Sequence, residues 1–374
     1  MEYKRLGDYI REVNVRNRDE KVTNLQGVSI SKMFIPSIAN TIGTDMSTYK
    51  IVKPGQFAYG PVTSRNGDKV SIALYEESED AIISQAYTVF DIIDKDEVSN
   101  KYLMMWFQRP EFDRYARFHS HGSAREIFDW DELCNVMIPL PSIERQREIV
   151  EEYETLSRRI RLNEQIIGKL EATAQALYRK MFVEGIDKEN LPEGWKVGKL
   201  EDICDCFDSK RKPVAGYDRD KMDSSKRIYP YYGAAALMDY VDDYIFDGDY
   251  ILMGEDGTVM NDDYTPVIQY VRGKFWVNNH AHILKGKNGF DENLLYLFLK
   301  QTNVKDIVTG GVQAKINQEN MMSIPAIIPP HDLIKELRGM ENPIFREIHL
   351  REQENSKLSE LQSLLLAKMG NLKQ

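Results

Sequence analysis

The chain has 374 residues, 42% of them hydrophobic and 29% charged, which is too long for one hydrophobic core and too evenly mixed for disorder. A net charge of −10 and an isoelectric point of 5.3 argue against a surface that is basic throughout, yet bulk charge leaves room for a local groove of lysine and arginine. No run approaches the roughly 18 to 20 apolar residues of a membrane span, and Met1-Glu2-Tyr3-Lys4-Arg5 leads into no apolar segment, so a cytoplasmic protein without a membrane partner is expected.

Taken in chain order, the sequence repeats itself at a period of about 190 residues. Arg5-Leu6-Gly7-Asp8-Tyr9-Ile10 returns as Lys199-Leu200-Glu201-Asp202-Ile203-Cys204. Pro54-Gly55-Gln56-Phe57-Ala58-Tyr59-Gly60 returns as Asp247-Gly248-Asp249-Tyr250-Ile251-Leu252-Met253-Gly254, in both cases a glycine turn entering a strand. His121-Gly122-Ser123-Ala124-Arg125 corresponds to Gly310-Gly311-Val312-Gln313-Ala314-Lys315. Each half then closes on an apolar run with prolines, Met137-Ile138-Pro139-Leu140-Pro141 and Ile327-Ile328-Pro329-Pro330, which neither a helix nor a central strand tolerates.

A long helix is expected after each exit. In the first, Tyr153, Leu156, Ile160, Asn163, Ile167, Leu170, Ala174, Leu177 and Met181 step alternately by three and four, the heptad seam of a coiled coil. In the second, the seam is Ile344, Ile348, Arg351, Asn355, Leu358, Gln362, Leu365 and Met369, with polar residues at three places where an apolar one is usual. Chain direction favours an antiparallel pair: the first helix carries the chain out and the second returns. At 1.5 Å per residue the seam from Tyr153 to Met181 spans about 43 Å, slightly more than the roughly 34 to 36 Å of one DNA turn. The expected class is α+β: two similar globular α/β domains separated by two long antiparallel coiled-coil helices with pseudo-two-fold symmetry. The boundaries are 1–141 for the first domain, 142–184 for the central helical spacer, 185–330 for the second domain and 331–374 for the C-terminal helical spacer.

Several segments carry a family resemblance. Leu191-Pro192-Glu193-Gly194-Trp195-Lys196 is similar to the start of a target-recognition domain in the specificity subunits of type I restriction-modification systems. Ile138-Pro139-Leu140-Pro141-Ser142-Ile143-Glu144-Arg145-Gln146, Tyr178-Arg179-Lys180-Met181-Phe182 and Leu365-Leu366-Ala367-Lys368-Met369 resemble the same family's domain exits and helix ends. The similarity covers essentially the whole chain in the order domain, helix, domain, helix. Two departures stand out: the first half lacks the Pro-Glu-Gly-Trp start, and the second exit, Pro329-Pro330-His331-Asp332-Leu333, lacks the acidic-Gln pair. The resemblance implies a non-catalytic protein that reads a bipartite double-stranded DNA target, one domain per half-site, while its helices bind two methyltransferase subunits that engage motor-nuclease restriction subunits. It also implies that S-adenosylmethionine, ATP and magnesium belong to those partners and that this chain has no cofactor.

Base readout requires long donors or amides at groove edges, and phosphate contacts set the register. The candidate loops are Ser64-Arg65-Asn66-Gly67-Asp68-Lys69 and His119-Ser120-His121-Gly122-Ser123-Ala124-Arg125 in the first half. In the second they are Ser209-Lys210-Arg211-Lys212, Tyr231-Tyr232-Gly233 and Thr309-Gly310-Gly311-Val312-Gln313-Ala314-Lys315. Arg65 and Gln313 are the preferred base readers, with Asn66, Lys69, His121, Ser123, Arg125, Tyr231, Tyr232 and Lys315 as further DNA contacts; Lys210, Arg211 and Lys212 suit phosphate clamps.

Rival functions lack their motifs. Asn342-Pro343 is followed by Ile344, not the second proline of a methyltransferase, and no Gly-Lys precedes Ser or Thr as a motor's phosphate loop requires. Asp208-x-Lys210 is too short to define a nuclease, and a protein-only coiled-coil scaffold does not explain duplicated globular halves. His119-x-His121 and His280-x-His282 have no third or fourth ligand at metal spacing, so no metal site is expected; Asn278-Asn279-His280 reads as a strand end capping a turn. Cys134, Cys204 and Cys206 are odd in number, and Cys204-x-Cys206 lacks a two-residue gap, which suits small buried thiols.

Overall fold

The structure, a computed structural model, describes residues 3–37, 43–64, 66, 67, 69–122, 126–223, 225–311 and 313–370. The chain divides into two compact units, Met1–Leu162 with Glu354–Gln374, and Asn163–Gln353.

The first unit contains the strands β1 (Tyr3–Arg5), β2 (Ile10–Val13), β3 (Leu25–Val28), β4 (Phe34–Pro36), β5 (Lys50–Val52), β6 (Phe57–Tyr59), β7 (Ile72–Leu74), β8 (Ala81–Ile83) and β9 (Thr88–Ile92). Three helices follow, α1 (Asn100–Gln108), α2 (Pro110–Phe118) and α3 (Trp130–Asn135), then β10 (Met137–Pro139). They form two four-stranded sheets, ordered β2-β9-β6-β7 and β4-β3-β8-β5, and the pair β1-β10. β6 and β8 are buried on both faces, as short apolar strands packed between layers must be. Phe57 and Phe90 stack at 4.9 Å in the core, each such buried ring contributing about 1.5 to 3 kcal/mol. The Ser99 side chain caps α1 by accepting from the Tyr102 amide, which aims the run from Tyr102 to Phe107 into that core.

The helix α4 (Ile143–Phe182) leads into the second unit. This holds β11 (Lys196–Lys199), α5 (Leu200–Ile203), β12 (Cys204–Cys206), α6 (Gly216–Asp220), β13 (Tyr229–Tyr232), β14 (Leu237–Val241), β15 (Phe246–Asp247) and β16 (Tyr250–Gly254). It continues through β17 (Ile268–Val271), β18 (Lys274–Val277), β19 (Ala281–Gly286), α7 (Glu292–Leu299), α8 (Gln318–Met322), β20 (Pro325–Ile328) and α9 (His331–Met369). Its sheets are ordered β12-β19-β16-β17 and β14-β13-β18-β15, with the pair β11-β20. This is the first unit's order strand for strand. Even the parallel pairing recurs, β3 with β8 and β13 with β18. The fold class is α+β, with the same mixed sheet topology built twice and a long helix after each copy.

Every expected seam position of α4 and α9 is buried or half-buried, while most of the positions between them are exposed. The polar seam residues have partners. In the first unit Gln362 Nε2 donates to Ser157 Oγ at 2.6 Å, and Arg159 grips the Glu354 carboxylate at 2.8 and 3.2 Å. Partner numbers fall along α9 as they rise along α4, so the helices run antiparallel there. In the second unit Arg351 Nη1 donates to Oδ1 of fully buried Asn163 at 3.2 Å. Arg351 and Gln362, which interrupt the apolar pattern, thus meet polar groups of the facing helix and not hydrocarbon. Among the described residues no helix is long and apolar enough to cross a membrane.

Two buried polar residues of these helices contrast in how they are paired. Gln146, in the first turn of α4, accepts from the Ser99 amide at 2.9 Å and donates to the carbonyls of Glu97 and Pro141 at 2.8 and 2.9 Å. All of its bonding capacity is spent on the chain before α1 and on the proline exit. Replacing it with alanine takes the partner from three part-buried backbone groups, so Gln146→Ala is expected to destabilise the first unit by about 2 kcal/mol; an unchanged melting temperature would contradict this. Glu341 of α9 is fully buried, and its carboxyl oxygens have no hydrogen-bond partner among the described residues. Burial, assisted by the charge of Asp291, pushes its pKa up from 4.5 to about 9. A raised folded-state value favours the protonated fold, so its contribution is complete below the ordinary pKa and is lost as pH climbs towards the raised one. Glu341→Gln is therefore expected to melt higher than wild type near about pH 8 and to flatten the decline that sets in above the ordinary carboxyl range and ends near the raised value, and thermal melts from acid to alkaline pH check it.

Candidate nucleic-acid interface

The segment Thr309–Lys315 is a closed hairpin: the amides and carbonyls of its two end residues bond reciprocally, both at 2.8 Å. Gly310 has φ +90°, and a Cβ there would overlap the Gln313 carbonyl oxygen, so the turn needs glycine. The hairpin is pinned beyond the end of β16. Lys315 bridges Asp256, the Gly257 amide donates to the Ala314 carbonyl at 2.9 Å, and the Ile316 amide donates to the Glu255 carbonyl at 2.8 Å. Fixing the main chain in this way leaves Gln313 and Lys315 exposed. The first unit repeats the arrangement. His121 and Ile127 bond reciprocally at 3.0 and 2.9 Å, and Ile127 bridges Val62 beyond the end of β6.

Beneath the second hairpin lies a charged network. Arg211 Nη1 bonds Glu255, and also the carbonyl of Ala281 at 3.0 Å. Lys315 Nζ lies 3.2 Å from the other oxygen of Glu255. Arg211 Nη2 is 3.3 Å from Asp208, and Asp208 accepts from the Ile283 amide at 3.0 Å. The fully buried His282 places Nδ1 2.5 Å from Asp208 and Nε2 2.8 Å from the Ile316 carbonyl. Burial opposes ionisation of Asp208, but His282 and Arg211 outweigh it and hold the carboxyl below its ordinary value. Glu255 behaves alike, with burial overcome by Arg211, His282 and Lys315.

The expected site residues fall into three groups. Gln313, Lys315, Lys210 and Lys212 are exposed in the second unit, and Lys69 and His121 in the first, where Asn66 is half-buried and donates to the Val62 carbonyl at 3.2 Å. Others turn inward. Arg211 spends its guanidinium on the network, Tyr231 is 2% exposed with its hydroxyl accepting from the Val214 amide at 3.0 Å, and Tyr232 is half-buried with its ring against Phe275. Arg65, Ser123 and Arg125 lie outside the described residues. Sequence reasoning overlooked Glu255 and Asp256, because a single acidic residue after a strand carries no signal until the hairpin is folded onto it. It also treated the histidines as pairs, whereas three of the four have separate carboxylate partners: His119 Nδ1 lies 3.3 Å from Glu132, His280 Nδ1 2.5 Å from Asp256 and His282 Nδ1 2.5 Å from Asp208. The Asn278 side chain does cap a turn, accepting from the His280 amide at 2.8 Å.

Cys206, Asp208 and His282 bring possible metal-ligand atoms within 4.8 Å of one another. Asp208 nevertheless has its lone pairs taken by Ile283, His282, Arg211 and the Cys206 thiol, and the Arg211 cation already supplies the positive charge that a metal would bring. Burial, with Asp208 adding to it, pushes the Cys206 thiol up to about 12, which keeps it protonated.

A family described as the type I restriction modification DNA specificity domain matches residues 42–172 and again 192–336, one match for each copy of the fold. A Haemophilus influenzae chain named as a type I restriction enzyme specificity subunit is 35% identical over 156 residues, 40% of this chain and 37% of the relative's length. The crystal structure of a type I restriction-modification S subunit from M. genitalium superposes with a TM-score of 0.54 over 98% of this chain and 95% of that one, at 14% identity, a likeness of fold alone. With both of its halves matched, the chain belongs to the type I restriction modification DNA specificity family.

Proposed function

We propose that this chain is the DNA-reading subunit of a type I restriction-modification complex, with target-recognition domains over 1–141 and 185–330 and helical spacers over 142–184 and 331–374. The observation that carries the reading is the repeated hairpin. Two copies of one fold each close a loop by reciprocal main-chain bonds and pin it beyond the end of a core strand, with Gln313 and Lys315 exposed on one and His121 on the other, which suits reading two unlike half-sites. Gln313 and Arg65 read base edges, one in each half-site; Lys315, Lys210 and Lys212 meet phosphates beside Gln313, and Asn66, Lys69, His121, Ser123 and Arg125 make further contacts in the other half. The chain itself is non-catalytic. Two methyltransferase subunits bind its helices and supply S-adenosylmethionine chemistry, motor-nuclease subunits bring ATP and magnesium, and the assembly works in the cytoplasm.

Genome-wide methylation mapping in cells with and without this chain tests the proposal. A bipartite motif of fixed spacing that disappears with the chain is expected; an unchanged methylome would end the reading. Within that motif, Gln313→Ala is expected to relax one half-site, costing about 1 to 3 kcal/mol of discrimination there and leaving the other half intact. Methylation rates on duplexes substituted in each half measure this, and a uniform loss would remove Gln313 from the role.

A further inference from the structure

We infer that Asp208 and His282 are positioning residues for the second half-site, fastening the hairpin that carries Gln313 and Lys315 to the segment that carries Lys210 and Lys212. The inference rests on the DNA-reading proposal and adds to it a buried device that only one half of the target depends on.

The geometry is that of a clasp. Asp208 opens the short 3-10 turn Asp208–Lys210, so its side chain is rigidly tied to the main chain of the two exposed lysines around it. Ile316 is the first residue after the hairpin, and its amide is already held by the Glu255 carbonyl. One imidazole spans the gap between these segments. The Ile316 carbonyl can only accept, so Nε2 of His282 carries a hydrogen and donates it at 2.8 Å, while Nδ1 lies 2.5 Å from the Asp208 carboxylate. The ring is fully buried, on the core strand β19, opposite Met253 of β16. Without the ring Asp208 keeps the Ile283 amide and Arg211, whereas the buried Ile316 carbonyl loses its imidazole donor, so the hairpin side of the clasp is the side that opens.

The first unit does this differently. Its ladder places Thr88 opposite Tyr59, where the second unit places His282 opposite Met253. There the main-chain bond from the Thr63 amide to the Glu126 carbonyl matches that from Gly257 to Ala314, and the side-chain anchor is instead the Thr63 hydroxyl, 3.0 Å from Ser120 Oγ and 3.2 Å from the Glu126 carbonyl. The two half-sites therefore depend on unlike anchors, and damage to the imidazole clasp is confined to one of them.

The test uses the assembled methyltransferase complex containing this chain, on a duplex bearing the mapped motif and on duplexes with one base pair changed in either half. Three variants divide the clasp: His282→Ala removes both bonds, His282→Gln retains an amide where Nε2 sat and can still donate to Ile316, and His282→Asn retains one where Nδ1 sat. His282→Ala is expected to lower discrimination about tenfold in the half-site that Gln313→Ala relaxes, with the other half unchanged. His282→Gln should recover more of it than His282→Asn, because the hairpin is fastened through Ile316. A purely structural role would depress the melting temperature and both half-sites together, without ranking the two amides. Equal effects on the two halves, no effect on either, or Gln no better than Asn would overturn the inference. Should the alanine variant fail to assemble, the comparison of Gln with Asn decides alone. If the wild-type complex itself ignores the base changes, the DNA-reading proposal fails and not the clasp.

Discussion

The function proposed for this chain depends on one constraint: a reading loop must be stiff in its main chain and free in its side chains. An unpinned glycine loop would have to be ordered at the moment of binding, at a cost of about 1 to 2 kcal/mol per residue. Here the cost is met on folding. Reciprocal bonds close each hairpin, and a bridge to the residue beyond a core strand, Val62 to Ile127 or Asp256 to Lys315, roots it in the sheet. Since backbone groups do the holding, Gln313, Lys315 and His121 remain exposed. The residues can then diverge without loosening the loop.

The helices solve a related problem of specification. A wholly apolar seam is strong but slides easily, whereas a polar group in the seam has one satisfactory register. Asn163 with Arg351 and Ser157 with Gln362 are such groups, and each pairing lies within one compact unit. Gln146 acts at the head of α4 as they act along it, by tying the helix to the chain that precedes α1. Glu341 is the exception, buried with no hydrogen-bond partner among the described residues and held neutral by its surroundings, so that α9 gives up stability as pH rises from the ordinary carboxyl range towards about 9.

Much of this was legible in the sequence. The repeat, the proline exits, the two long helices and the glycine hairpins all rest on local pattern, and local pattern survives without coordinates. What failed to show were contacts between residues far apart in the chain. Asp208, Glu255, His282 and Ile316 come from four separate segments, so no spacing announces them. Arg211 looked available because it sits in a run of three basic residues, and Tyr231 because an aromatic pair before a glycine often faces solvent. Arg211 is instead drawn in by two carboxylates, and Tyr231 lies on a strand whose parallel pairing with Trp276 accompanies a buried ring. The second seam seemed leaky for the same reason: a polar residue reads as a defect until the group opposite it is known.

The differences between the two copies are as informative as their likeness. Strand order, hairpin closure and even the parallel pairing are preserved, so these are what the fold needs to stand. The chemistry beneath the hairpins is not preserved: hydroxyls and a main-chain carbonyl in one unit, a buried carboxylate, imidazole and guanidinium in the other. A buried ionic network gives little net stability, because desolvating its members offsets most of their attraction. What it adds is geometry, since each charged group tolerates only a narrow range of partner positions. On the proposed reading an acidic chain needs no broadly basic surface, only cations in the right place: Arg211 is drawn inward to brace the loop, while Lys210, Lys212 and Lys315 stay exposed beside it.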